Sequence, residues 1–299
     1  MDTMEGNAHT AVGSQGAGRP IESLHPGRVT KDGAGVVLTR LLESDLQRRL
    51  DPFLMLDLFG SDVPEDYLAG FPTHPHRGFE TITYMLTGRM RHADSAGHSG
   101  VIESGGMQWM TAGRGILHSE MPEQESGRMA GLQLWLNLPA RDKDTPPWYR
   151  DFRAEELPRW REPGGAYDVV VLAGRYRHLQ GPVARPTTDP YLLDLRWQDA
   201  ADIFVELPTT HVAFAVPYQG TVSAQGKVIP TAHLGIFADD PENRGVLLSG
   251  EAGSAALMVA GQPLREPIVQ YGPFVLNSDE AIRETLRLYR SGDFPPAEL

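Results

Sequence analysis

The chain has 299 residues and a formal net charge of −12, so it lacks the clustered Lys and Arg that neutralise a phosphate backbone, and direct nucleic-acid binding is excluded. It has no cysteine, which excludes disulfides, thiolate metal sites, iron–sulfur clusters and thiol catalysis and leaves His, Asp and Glu as the strong metal ligands available. No apolar run approaches membrane length and no signal-peptide core opens the chain, so the expectation is a cytoplasmic protein, nuclear only in a eukaryote, that meets no membrane.

With 32 glycines and 24 prolines, the sequence predicts many turns and therefore many short strands. Residues 1–27 are rich in Gly, Ala, Ser and Thr without apolar periodicity and read as a flexible N-terminal tail. A first β domain is expected over 28–145. Within it, 36–38 reads as a strand, 51–57 (DPFLMLD) as a buried apolar run, and 81–86 (TITYML) as a β-branched and aromatic strand ended by Gly88. Further runs at 101–102, 107–110 and 132–136 (LQLWL) alternate with glycine turns, the pattern of an all-β barrel or sandwich. Residues 139–166 are proline-rich, with Pro146-Pro147 at their centre, and read as a surface connection.

A second β domain, expected over 146–299, begins at 169–172. Residues 191–197 alternate Leu193, Leu195 and Trp197 against Asp194 and Arg196, as a half-buried strand does. Runs at 203–207, 211–216 and 256–259 continue it. TITYMLTGRM at 81–90 and AFAVPYQGTV at 213–222 share strand, glycine, strand, which favours a duplicated barrel. The chain ends in its clearest helix, 278–291. Asn277 or Ser278 caps it, Asp279 and Glu280 occupy the first turn, Arg287 and Arg290 lie near the end, and Gly292 stops it. Ile282, Leu286 and Tyr289 form one apolar stripe, so the helix is expected to dock on a barrel.

The most informative feature is a pair of i, i+2 pairs: His74 and His76, then His118 and Glu120. Residues i and i+2 of a strand point to the same face, so two adjacent strands can aim three imidazoles and one carboxylate at one point. Three neutral nitrogens and one anionic oxygen suit a divalent first-row ion and leave open positions if the ion is six-coordinate. Glu120 reads as a permanent ligand, as a catalytic residue (a general base taking a proton from an incoming hydroxyl), or as both. His92 and His98 flank Ser95 and Gly97 and read as solvated loop residues. His178, His211 and His233 are isolated, so the second half reads as a barrel without its own metal. Trp109, Met110, Phe79 and Phe53 read either as packing near the site or, first, as core packing. Arg77 and Arg114 either orient an anionic substrate or form surface ion pairs.

Four segments carry a resemblance to a known family. FPTHPHRGFET at 71–81 and QWMTAGRGILHSEMP at 108–122 look like the two signature segments of the pirins, members of the cupin superfamily; DPFLMLD at 51–57 and QPLREPIVQYGPFVLN at 262–277 resemble their N-terminal and C-terminal segments. The resemblance implies a bicupin, two jelly-roll-like β-barrels with one metal in the N-terminal barrel. It implies His74, His76, His118 and Glu120 as ligands and Fe(II) as the ion, although Mn, Co, Ni, Cu and Zn accept such ligands too. Several relatives resemble quercetin 2,3-dioxygenases, which open a flavonol ring with O₂ and release CO; the partners implied are then a small aromatic, flavonol-type substrate and O₂. Animal pirins act as nuclear transcription coregulators and some bacterial members modulate metabolic enzymes, so a metal- or redox-dependent regulator with a protein partner is the second reading. A vestigial cupin with a structural metal is the third. Scarce lysine, at Lys31, Lys143 and Lys227, beside abundant Arg, Ala and Gly resembles GC-rich bacterial usage and disfavours the nuclear role.

Overall fold

The β-branched and aromatic runs become strands, and these assemble two sandwiches of the same topology. The protein is seen here as a computed structural model that describes residues 18–295. In the first barrel the large sheet has the order Trp148–Phe152, Met107–Thr111, Phe79–Thr87, Met129–Asn137, Phe53–Ser61, Val36–Leu42, Arg28–Asp32. Facing it is a small sheet in the order Phe71–His76, Ile116–Pro122, Arg89–Asp94, Ser99–Glu103. The second barrel repeats this arrangement. Its large sheet runs Ile21–Pro26, His233–Phe237, Val212–Gln219, Ala255–Gly261, Tyr191–Trp197, Tyr167–Ala173, Arg159–Arg161, and its small sheet runs Ala201–Glu206, Gly245–Gly250, Val222–Ala224, Lys227–Ile229. The protein is thus a bicupin with one C-terminal helix. The glycine turn shared by 81–90 and 213–222 is a true structural equivalence: Gly88 and Gly220 both adopt positive φ between matching strands.

Strand parity explains the long apolar runs. In Phe79–Thr87, Ile82 and Tyr84 turn outward from their barrel into a core shared with the second one. There they join Trp109 and Leu134 and meet Val170, Leu192, Phe214 and Val259. Phe53 contacts Phe214 edge to face, with centroids 5.4 Å apart. The alternate residues of the same strands, Thr81, Thr83, Gln133 and Trp135, point into the first barrel. Both faces are covered, so these strands show no simple hydrophobic-polar alternation.

Two expectations about the domains change. Residues 21–26, placed in the N-terminal tail, form a strand that pairs antiparallel with His233–Phe237 and packs Ile21 and Leu24 against the second core. Arg19, just before it, is buried and donates to the carbonyls of His211 (2.6 Å), Pro208 (2.6 Å) and Asn243 (3.2 Å). Residues 1–17 lie outside the described residues. Conversely, Trp148–Phe152, beyond the expected boundary at 145, closes the edge of the first large sheet by pairing with Met107–Thr111. Both segments are short, and the strands they complete are remote in sequence, which is why local pattern did not reveal them.

The helix runs Asp279–Ser291. The Ser278 side chain accepts from the Ala281 N–H, and Gly292 closes the helix at φ 81°. Its buried face is centred on Ile282 and Thr285, whereas Tyr289 of the expected stripe remains half exposed while touching Phe274 and Phe294.

Candidate metal centre

The two i, i+2 pairs arrive on neighbouring antiparallel strands of the first barrel's small sheet. His118 lies directly opposite His74 in the register, and His76 lies opposite Ile116. Candidate ligand atoms of His74, His76 and His118 all lie within 4.8 Å of one another, and the ring centroids are 4.3–4.7 Å apart. His76 and His118 are buried and His74 is half exposed, so the cluster opens to solvent on the His74 side.

The tautomers of His74 and His118 follow from their neighbours. His74 Nδ1 donates to Pro72 O at 2.9 Å, which leaves Nε2 as a bare acceptor facing His76 Nε2 at 3.1 Å. Two nitrogens bound at right angles to one ion at about 2.1 Å stand roughly 3 Å apart, so this spacing fits a shared metal. Behind His118 runs a chain of two groups, His92 and Asp94. Asp94 Oδ2 accepts from His92 Nε2 at 3.1 Å, so His92 Nδ1 is an acceptor and faces His118 Nδ1 at 3.5 Å. His118 Nε2 is then a buried lone pair without a hydrogen-bond partner. Such an orphan is costly unless an ion or proton meets it. Burial pushes the pKa values of His76 and His118 well below the usual histidine range, and the neighbouring histidines push them further; both rings are neutral and able to ligate at pH 7. The donor set therefore fits one divalent ion.

Glu120 does not join the cluster of mutually close donor atoms. The strand bulges between His118 and Glu120, and the buried carboxylate reaches across the barrel to the large sheet. Gln133 Nε2 donates to both of its oxygens (2.9 and 3.0 Å), and Thr83 Oγ1 donates to Oε1 (3.2 Å). Thr83 and Gln133 are cross-strand partners. Phe79 and Trp135 stack with centroids 4.3 Å apart and both press on His76, at 5.0 and 5.1 Å. Phe79 is thus a wall of the site, whereas Trp109, Met110 and Phe53 are core. Arg77 is held away by Thr285 Oγ1 and Asp144 Oδ1, each at 3.0 Å, and acts as a clamp for the C-terminal helix.

His92 corrects the sequence reading. It is fully buried on Arg89–Asp94 and stacks on Tyr149 with centroids 4.5 Å apart. His98 is half exposed and also donates to Asp94 Oδ2, at 3.0 Å. Burial alone would raise the Asp94 pKa, but hydrogen bonds from His92 and His98 hold it below the usual carboxylate value. The signal was present: His92 and Asp94 repeat the i, i+2 spacing of the ligand pairs, and Met90 and His92 share the inward parity of their strand.

In the second barrel the positions matching the candidate ligands are apolar. Arg114-Gly-Ile-Leu-His-Ser-Glu120 aligns with Arg244-Gly-Val-Leu-Leu-Ser-Gly250, so Leu248 stands for His118 and Gly250 for Glu120. Opposite Leu248 and Val246 lie Ile203 and Val205, and all four are completely buried.

Known proteins match across this architecture. The sequence pattern of the family described as Pirin matches residues 35–136, and that of the Pirin C-terminal cupin domain matches 192–295. A protein of Pseudomonas aeruginosa provisionally named quercetin 2,3-dioxygenase is 49% identical over 281 residues, covering 92% of this chain and 97% of its own. A pirin-like protein of Caulobacter vibrioides is 42% identical over 279 residues, covering 92% and 99%. The crystal structure of a quercetin 2,3-dioxygenase from Acinetobacter baumannii superposes with a TM-score of 0.85 at 29% identity, covering 92% of this chain and 98% of the other.

Proposed function

The chain belongs to the pirin family, and from that premise we propose that it is a cytoplasmic, metal-dependent dioxygenase of flavonol-type substrates. The observation that carries this reading is the three-imidazole cluster with its bare, buried His118 Nε2, set in a chain 49% identical to a relative provisionally named for that activity. His74, His76 and His118 would hold the ion, with Glu120 as fourth ligand or base. The ion, taken as Fe(II), would supply a Lewis acid and a site for O₂ chemistry when bound.

The chain's own residues supply the rest. Pro72 O and the Asp94–His92 pair fix the tautomers of His74 and His118, so the ligands need not reorganise on loading. Glu120 is the nearby acceptor for the proton of an incoming hydroxyl. The amide of Gln133 and the hydroxyl of Thr83 hold its carboxylate until the substrate arrives. Phe79 and Trp135 wall off one flank and keep water from the inner face of the cluster. The substrate enters on the His74 side, where the cluster meets solvent.

Quercetin's long-wavelength absorbance should fall only when protein, metal and O₂ are all present, and His98→Ala should retain that activity. Turnover no faster than with free metal ion refutes the assignment. A metal-dependent regulator remains the second reading, favoured by an ion site whose inner face is completely buried; it predicts a protein partner whose affinity changes with metal occupancy.

A further inference from the structure

The two barrels differ at one equivalent end. In the first, the lip at Arg114–Gly115 is covered by the C-terminal segment: Arg77 bridges Phe274, and the Phe294 ring sits 2.7 Å from where a Cβ on Gly115 would stand. In the second, the matching lip at Arg244 borders a cavity of about 820 Å³ that is open among the described residues, within the volume range of small-molecule sites.

Three guanidinium groups line this cavity, those of Arg175, Arg177 and Arg244. Among the described residues none of them lies within ion-pair distance of a carboxylate, whereas Arg28, Arg40, Arg49 and Arg91 elsewhere on this acidic chain are all paired. The walls between them are aromatic. Arg175 donates to Tyr191 OH at 3.4 Å, and Arg177 lies over the Tyr176 ring at 5.7 Å. Phe204 covers Gly245, where a Cβ would come within 2.8 Å of its ring. Glu206 is the one acidic side chain lining the cavity among the described residues.

We propose that this cavity binds a small aromatic carboxylate. Guanidinium forks match the two oxygens of a carboxylate, and Tyr191 and Phe204 offer faces and edges to a flat ring. The site is independent of the metal centre and involves no bond making.

Calorimetric titration of the full-length, metal-loaded protein with benzoate, acetate and inorganic phosphate tests it. Benzoate should saturate one site and bind roughly tenfold or more tighter than acetate or phosphate, and Arg175→Gln combined with Arg244→Gln should weaken it at least about tenfold. Phe204→Ala should weaken benzoate and leave phosphate unchanged. Unaltered thermal unfolding and metal content of the variants show that the fold is intact. Absence of saturable benzoate binding, phosphate binding as tight as benzoate, or benzoate binding indifferent to the arginine changes would each overturn the proposal.

Discussion

At the scale of single residues, the histidine cluster was legible because strand parity converts the i, i+2 spacing of His74 and His76 into one face and the adjacent strand brings His118 to it, whereas Glu120, past the bulge, stays outside the cluster. The support for those histidines was harder to read. His92 and Asp94 have the same spacing, but their strand ends in a loop rich in Ser and Gly, and burial of the strand's inner face depends on a sheet formed by residues far away. Since His92 sets the tautomer of His118, His92→Ala should lower metal affinity roughly 10- to 100-fold while His98→Ala leaves it unchanged, measured by competition with a chelator. Equal affinities would show that the His92 contact does not orient the ligand. Glu120 is half legible: its place beside His118 was clear, its capture by Gln133 and Thr83 was not. Glu120→Gln should therefore lower turnover more than metal content if the carboxylate serves as base. A second titration belongs at this scale. Burial pushes His211 down to about 4, with Asp189 opposing in part. The unfolded chain then binds the extra proton first, so stability is full above about pH 6.5 and is lost as pH falls towards 4. His211→Gln should flatten that acid limb by up to about 1.4 kcal/mol per pH unit, read from denaturant midpoints at pH 7 and 5; an unchanged limb would place the lost stability on other groups.

At the scale of elements, the C-terminal helix was read nearly to the residue because its signals are local: a Ser cap, acids at the start, and a glycine free to adopt the left-handed region at the end. Its docking face was less legible, since Thr285, a polar residue, is buried to meet Arg77. The exchanged edge strands were illegible for the opposite reason. Ile21–Pro26 and Trp148–Phe152 are short and mixed in polarity, and each becomes a strand only when a distant edge accepts it. Arg19 anchors the first exchange with three hydrogen bonds to carbonyls. Arg19→Ala should leave those acceptors short of donors and lower stability by about 2–3 kcal/mol, with metal affinity unaffected. Denaturant unfolding followed beside metal titration checks this, and a variant as stable as the parent would show that the strand is held by its sheet alone.

At the scale of the whole molecule, duplication was visible in a shared strand–glycine–strand pattern, and the stronger repeat of Arg114-Gly-Ile-Leu with Arg244-Gly-Val-Leu lay in plain view. The way the barrels join was not legible, because a strand buried on both faces looks the same whether its outer face meets a helix, a sheet or a second barrel. The junction includes a buried polar knot: Asp194, fully buried, accepts from Tyr84 OH of the first barrel (2.7 Å), from Arg196 (2.7 Å) and from Tyr218. Asp194→Ala should cost about 2–4 kcal/mol, with Arg196 partly hydrated in compensation. Because one core serves both barrels, the two should unfold together, in one transition by circular dichroism and by tryptophan fluorescence. Two separated transitions would mean that the shared core does not couple them.

We propose that the histidine cluster makes this pirin an oxygen-using enzyme. Anaerobic reconstitution with Fe(II), followed by O₂ uptake and CO release on adding quercetin, tests it most directly, with His118→Ala alongside. The prediction is CO released in proportion to quercetin consumed, and its disappearance in the variant. Tight metal binding with neither O₂ consumed nor CO released would contradict it.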